Sequence, residues 1–172
     1  MIKGEFIVSD IKHVLFLCKG NSARSIMAEA ILNDLSMNKG RFKAHSAGSQ
    51  PDGHVHPLAV EQLRNFHLPV EGLYSKSWEE FAAAEAPNLD FVIVVSEDIS
   101  DGTCPVWKGE PMFAHWGVPD PAAVEGTEFE RHAAFVEAFR QLRTRIELLV
   151  SLPFDTLDQQ GLQGKLDAIG RG

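Results

Sequence analysis

Cys18 and Arg24 frame the stretch VLFLCKGNSARSIMAEA, residues 14–30, with five residues between them. A thiolate is a strong nucleophile, and a guanidinium grips two oxygens of one anion in a bidentate fork. Together they suit attack on the central atom of a tetrahedral oxyanion. The flanking residues supply the frame. Val14 to Leu17 are four apolar residues, read as a buried parallel strand that ends at Cys18. Ser25 opens a helix whose apolar face is Ile26, Met27, Ala30, Ile31 and Leu35. Strand, tight loop and helix start make an oxyanion cradle from Lys19, Gly20, Asn21, Ser22, Ala23, Arg24 and Ser25, with loop N–H groups and the helix N-terminus aimed at one spot. The same field favours a thiolate at Cys18. Gly20 permits a conformation that a side chain would resist, and Asn21 tolerates left-handed backbone angles. Ser25 either caps the helix or donates to the Cys18 sulfur. Lys19 either adds positive potential or is simply solvated. A lone cysteine after a strand is otherwise inert core filler; the strand–loop–helix context favours the nucleophile.

The rest of the chain must position this loop. Strands are expected at 13–17, 41–45, 89–95 and 112–116, the second ending in a loop at Ser46-Ala47-Gly48. Helices are expected at 25–36, 57–66, 77–84, 127–150 and 157–169. Pro57 fits a first helical turn, and Ser77 with Glu80 fits a capping box. In the long helix Phe129, Ala133, Val136, Phe139, Leu142, Ile146 and Leu149 form the apolar stripe. Strands alternating with helices imply an α/β fold, a three-layer sandwich around a four-stranded parallel sheet. Ligands in such sheets bind beyond the carboxyl ends of the strands, where Cys18, Ser96 and the loop of Asp120 fall.

A chain of 172 residues is one domain, residues 1–172, with 1–10 as a short N-terminal extension. The net charge of −8 argues against nucleic acid or an anionic membrane as partner. No apolar run approaches the ~20 residues of a membrane span. MIKGEFIVSD lacks a signal peptide's long apolar stretch. Two cysteines are no disulfide scaffold, so a cytoplasmic location is expected. His54, His56 and His115 lack the partners and spacing of a metal site, so no metal is expected. Trp107 and Trp116 are read as packing residues. Cys104, the other cysteine, lies in a polar loop and is read as a redox thiol able to approach Cys18.

Four stretches carry a family resemblance: CKGNSARSIMAEA, SAGSQPDGHVHPLAVEQLR (46–64), SKSWEEF (75–81) and CPVWKGEPMFAHWGVPDPAAVEG (104–126). They resemble the low-molecular-weight tyrosine phosphatase superfamily and, more narrowly, its arsenate reductase branch. The resemblance implies a low-molecular-weight phosphatase-like fold and thiol-dependent reduction of arsenate to arsenite for arsenic detoxification. It implies a small oxyanion substrate, with phosphate or sulfate as mimic. It implies no tightly bound cofactor, and a reductant drawn from thioredoxin, glutathione/glutaredoxin or mycothiol, as a redox partner protein or a small thiol. Asp120, in VPDPA, is implied to be the acid that protonates the leaving oxygen. Phosphatases of this superfamily usually carry an aromatic after Asp-Pro; Ala122 and Ala123 stand here, which favours small inorganic oxyanions. Thioredoxin-coupled relatives relay a disulfide through three cysteines, and Ser96 stands at the middle one's place. Either Cys104 or an external thiol then resolves the Cys18 adduct; the internal route is preferred, because a tethered thiol gains effective concentration. Asn21, Glu29 and Ser46 match a potassium site of some relatives, although a loop hydrogen bond for Ser46 and a solvated helix face for Glu29 are the preferred readings. The alternatives are a phosphatase working through phosphocysteine, and a non-catalytic oxyanion-binding regulator.

Overall fold

Two apolar runs lie side by side at the centre of the sheet. Strand β1 (Lys12–Cys18) pairs in parallel with β3 (Phe91–Val94) on one side and with β2 (Phe42–Gly48) on the other. Strand β4 (Met112–His115) completes the order β2-β1-β3-β4, all parallel. Val14 to Leu17 and Val92 to Val94 have no exposed surface, which is why both runs are apolar without alternation. The computed structural model describes residues 11–97, 99 and 104–172; the expected extension, residues 1–10, lies outside them.

The remaining elements are α1 (Arg24–Asn33), α2 (Leu35–Asn38), α3 (Pro57–Asn65), a 3-10 turn at Trp78–Phe81, a second at Pro121–Ala123, α4 (Glu128–Val150) and α5 (Gln159–Arg171). The expected α/β sandwich is present, with unequal outer layers. Val14, Phe16, Phe91 and Ile93 pack with Ile26 and Ile31 of α1, Leu63 of α3, Phe139 and Leu142 of α4 and Leu166 of α5. Leu15, Leu17, Val92 and Val94 face a thinner layer built on Trp78, Phe81 and Trp107. Trp116 is fully buried, and its indole N–H donates to the Leu166 carbonyl at 3.0 Å, tying α5 to β4. A Cβ on Gly170 would run into the His115 carbonyl, so a glycine lets α5 approach this closely.

Several expected boundaries differ. Helix α1 stops at Asn33 because Asp34 adopts extended angles and its side chain caps α2, accepting from Ser36 N–H. The break throws Leu35 off the α1 face, and it is 72% exposed. Ser46-Ala47-Gly48 is strand rather than loop, paired with Phe16, Leu17 and Cys18. The 77–84 helix is a single 3-10 turn; Ser77 caps it, whereas Glu80 accepts from the Tyr74 hydroxyl. The long helix starts as expected, with a capping box between Thr127 and Glu130. Its buried face is Phe135, Ala138, Phe139, Leu142, Ile146 and Leu149, while Phe129, Ala133 and Val136 face solvent. In the N-terminal half Phe135 and Ala138 carry the buried face, in the core cluster that also holds α1 and Leu63 of α3.

Candidate active site

Strand β1 delivers Cys18 at its carboxyl end, next to the point where the connections turn to opposite edges of the sheet. The residue is 2% exposed. The loop reverses at Asn21, whose φ of 46° is left-handed, as its type allows. That turn brings the Asn21 N–H to the Cys18 Sγ at 3.3 Å. Ser25 Oγ lies 2.9 Å from the same sulfur. The direction of that bond follows from its neighbours. Asn21 Oδ1 accepts the Lys76 N–H at 2.8 Å, which turns Asn21 Nδ2 toward Ser25 Oγ at 2.7 Å. Ser25, already an acceptor, is free to give its own proton to sulfur. Two donors thus converge on Sγ, the arrangement that an anionic sulfur needs. Ser25 does not cap α1: the N-cap is Ala23, and no side chain bonds the first turn. The first helical bond runs from Met27 N–H to Ala23 O, so the amides of residues 24–26 have no helical partner.

Arg24, 6% exposed, is aimed rather than loose. Its Nη1 donates to the Val118 carbonyl at 3.1 Å, and Nη2 lies 3.6 Å from Asp120 Oδ2. Asp120 Oδ1 accepts the Ala122 N–H at 3.0 Å, which leaves Oδ2 facing Arg24. The loop carrying Asp120 is pinned by Val118 N–H to Val95 O and by Arg145 of α4, whose Nη1 donates to the carbonyls of Trp116 and Gly117. Cys18, Lys19, Gly20, Asn21, Ser22, Ala23 and Arg24 line one cavity of about 170 Å³, closed by Gln50, Asp52, Asp120 and Ala122. No aromatic ring lines it among the described residues. A roomier cleft of about 590 Å³ between Ile31, Phe66 and α4 contains no thiol and shares no lining residue with the Cys18 cavity.

Beneath the loop is a cation that sequence reading missed. Residues 75–77 lie beside β2, with Gly48 N–H donating to Lys76 O and a parallel bridge from Gly48 to Ser77. Lys76 is 7% exposed; its ammonium donates to Tyr74 O at 2.9 Å and lies 3.8 Å from Glu29 Oε1. The Ser46 hydroxyl donates to the same Glu29 oxygen. Burial pushes Glu29 above the usual carboxylate range, with Lys76 opposing; burial likewise pushes Lys76 down, with Glu29 opposing. Glu29 is thus no solvated helix residue. Nothing in the order SKSW announces a buried lysine.

The histidines have structural duties. His56 Nδ1 accepts the Leu58 N–H and caps α3, and its ring packs on Phe135. Burial, then Arg131, lowers its pKa. No group of three His, Cys, Asp or Glu side chains suited to a metal occurs among the described residues. Trp107 and Trp116 are core, as read from the sequence. Ser96 is buried just beyond β3. Neither cysteine is in a disulfide. Cys104 packs on the Leu15–Leu17 face of the sheet, whereas Cys18 belongs to the opposite cluster.

Cys18 at the end of the first strand, with Arg24 and Asp120 on the rim of its cavity, makes a candidate oxyanion site on a four-stranded parallel α/β fold. The chain belongs to the low molecular weight phosphotyrosine protein phosphatase family, whose family model matches residues 13–160. Within that family it is similar to arsenate reductases. It is 31% identical to that of Shouchella clausii, over 79% of this chain and 93% of that enzyme, and 30% identical to that of Bacillus subtilis over the same shares. Among solved structures, an arsenate reductase in the phosphate binding state superposes with a TM-score of 0.65 at 27% identity, covering 81% of this chain and 97% of that one. No helix among the described residues is long and apolar enough to cross a membrane.

Proposed function

We propose that this chain reduces arsenate to arsenite at Cys18. One observation carries the reading: a sulfur with two converging donors floors a small cavity, without lining aromatics, whose rim holds Arg24 and Asp120. Arg24 and the loop amides grip arsenate, a role the buried, aimed guanidinium supports. The arriving anion competes with Asp120 for Arg24, which frees Asp120 to hold a proton. The Cys18 thiolate then attacks arsenic; a sulfur–arsenic bond forms, and an arsenic–oxygen bond breaks, its oxygen leaving as water with the proton from Asp120. A second thiolate next attacks the Cys18 sulfur. The new disulfide takes the place of the sulfur–arsenic bond, whose electron pair stays on arsenic, so As(V) becomes As(III) while two sulfurs are oxidised. An external dithiol or low-molecular-weight thiol must return Cys18 to the thiol, chemistry suited to a reducing cytoplasm. The Corynebacterium glutamicum relative of like fold is a thioredoxin-dependent arsenate reductase. The test is arsenate turnover with thioredoxin, glutathione/glutaredoxin and mycothiol systems run in parallel, beside aryl phosphate hydrolysis. Efficient hydrolysis without arsenate turnover in any system would hand the site to the phosphatase reading.

The placement of Cys104 favours an external thiol as the first to resolve Cys18, against the internal route preferred from the sequence. A direct disulfide needs Cα atoms within roughly 7 Å, and these two side chains pack on opposite faces of the sheet. Cys104→Ser is therefore expected to keep turnover within about threefold in a small-thiol system, with a mixed disulfide on Cys18 in the mass spectrum. Loss of turnover and of that adduct would restore the internal route.

Of the residues in the potassium reading, the Lys76 ammonium lies beside Glu29, at 3.8 Å, while Asn21 meets the Lys76 backbone N–H and Ser46 bonds Glu29. We infer that the Lys76 ammonium supplies the counter-charge that Glu29 would otherwise take from a potassium ion, while the Lys76 backbone N–H orients Asn21 and, through it, Ser25. Replacing potassium by tetramethylammonium at constant ionic strength should change wild-type turnover by less than about twofold, since Glu29 is already countered. Lys76→Met keeps the backbone N–H to Asn21 but leaves Glu29 without its counter-charge, so added potassium should raise its thermal midpoint more than that of wild type. Potassium-dependent turnover in the wild type would restore the metal site.

A further inference from the structure

The segment after β2 carries a carboxylate that nothing in the sequence singled out. Gln50 N–H donates to Lys19 O at 2.9 Å, Asp52 N–H to Gly20 O at 2.8 Å and His56 N–H to Ser22 O at 2.9 Å. Residues 50–56 therefore run along the outer side of the nucleophile loop. Ser75 fastens them: its Oγ donates to Gly20 O at 3.2 Å and accepts the Gly53 N–H at 3.1 Å. This pinning lays the Asp52 carboxylate on Gly20, where a Cβ would lie 2.5 Å from Oδ2 and 2.9 Å from Cγ. Gly20 has no positive φ, contrary to the backbone role expected from the sequence; a side chain there would instead displace the Asp52 carboxylate. Asp52 and Asp120 line the same small cavity, and His56 feels the charge of both.

We propose that Asp52 is a specificity-determining residue of this site, selecting oxyanions whose outward oxygen is a hydroxyl over those whose outward oxygen is an ester. The proposal rests on the oxyanion-cradle reading above and goes further, because it assigns the choice between arsenate or phosphate and organic phosphomonoesters. A tetrahedral anion held by Arg24 and the loop turns one oxygen toward the rim. In inorganic arsenate or phosphate that oxygen is a hydroxyl, able to receive the Asp120 proton and to donate its own hydrogen to the Asp52 carboxylate. An ester oxygen can receive from Asp120 and has nothing to donate. It leaves the Asp52 carboxylate facing a lone pair, and its organic group must pass that side chain. A site that hydrogen-bonds a hydroxyl rejects analogues lacking it far more strongly than a greasy pocket rejects extra bulk.

The test uses protection of Cys18 from iodoacetamide, which needs no turnover. Inorganic phosphate and phenyl phosphate are titrated against the alkylation rate of the wild type, Asp52→Ala and Asp52→Asn. The fold should survive both changes, because the Asp52 backbone N–H makes the pinning bond while the side chain is exposed. The wild type should need more phenyl phosphate than inorganic phosphate for half-protection. That ratio should fall about tenfold in both variants, since alanine removes the carboxylate that repels the ester oxygen and asparagine can turn its amide N–H to that oxygen. An unchanged ratio, or a fall in the alanine variant alone, overturns the proposal; the latter would assign the choice to bulk. Failure of both anions to protect the wild type would sink the cradle reading and this proposal with it. Protection at an unaltered ratio sinks the proposal only.

Discussion

Cys18→Ser should abolish arsenate turnover with every reductant, by on the order of 10⁴-fold or more, because a unit of nucleophile and activating groups fails as a whole when the nucleophile goes. The exchange is nearly isosteric at a residue 2% exposed, so the loop should keep its shape. The Asn21 N–H and the Ser25 hydroxyl would then meet an oxygen that stays protonated at neutral pH. Neither the arsenic–sulfur bond nor the later sulfur–sulfur bond can form. Oxyanion binding should persist, since Arg24 and the loop amides are intact; calorimetric titration with phosphate measures it directly. Turnover retained by this variant would remove the enzyme assignment, and loss of phosphate binding would show the cradle to depend on sulfur itself.

Asp120→Asn should cost about 10² to 10⁴-fold in kcat, the usual worth of a positioned acid. An amide cannot hand a proton to the departing oxygen, which must then leave as hydroxide. The effect on KM should run the other way. Asp120 Oδ2 lies 3.6 Å from Arg24 Nη2 and competes with the incoming anion for that guanidinium. Removing its charge leaves Arg24 wholly to the substrate, so KM should hold or fall. The backbone should not move, because Asn can still accept the Ala122 N–H. Steady-state kinetics separates the two effects. A variant with kcat preserved and KM raised would make Asp120 a binding group rather than the acid.

The parts of this site closest together in sequence were the legible ones. Cys18, Asn21, Arg24 and Ser25 span one strand end, one loop and one helix start, where local rules dominate: an apolar run for the strand, a residue tolerant of left-handed angles for the turn, and periodicity for the helix. Both central strands were equally plain, because burial on two faces writes an uninterrupted apolar run. Asp120 was legible through the family resemblance of its Pro-Asp-Pro setting, while its aim at Arg24 was not. That aim depends on Arg145, twenty-five residues further on, holding the carbonyls of Trp116 and Gly117.

What the sequence by itself determined is the parallel α/β frame and the candidate site it presents, a cysteine at a strand end with an arginine at the following helix start. The tertiary structure alone decided which other side chains attend that site. Lys76 and Ser75 reach the loop across fifty-five residues, and Asp52 reaches Gly20 across two helices and a strand. No periodicity or spacing encodes such contacts; they arise when β2 pairs with β1 and carries its following segments onto the loop. The same holds for surfaces. Phe129 and Val136 continue the apolar spacing of α4 yet stay in water, since a helix buries only the side its neighbours reach. Cys104 illustrates the limit most sharply. Its thiol was plain in the sequence, and only the structure places it against the cluster opposite that of Cys18.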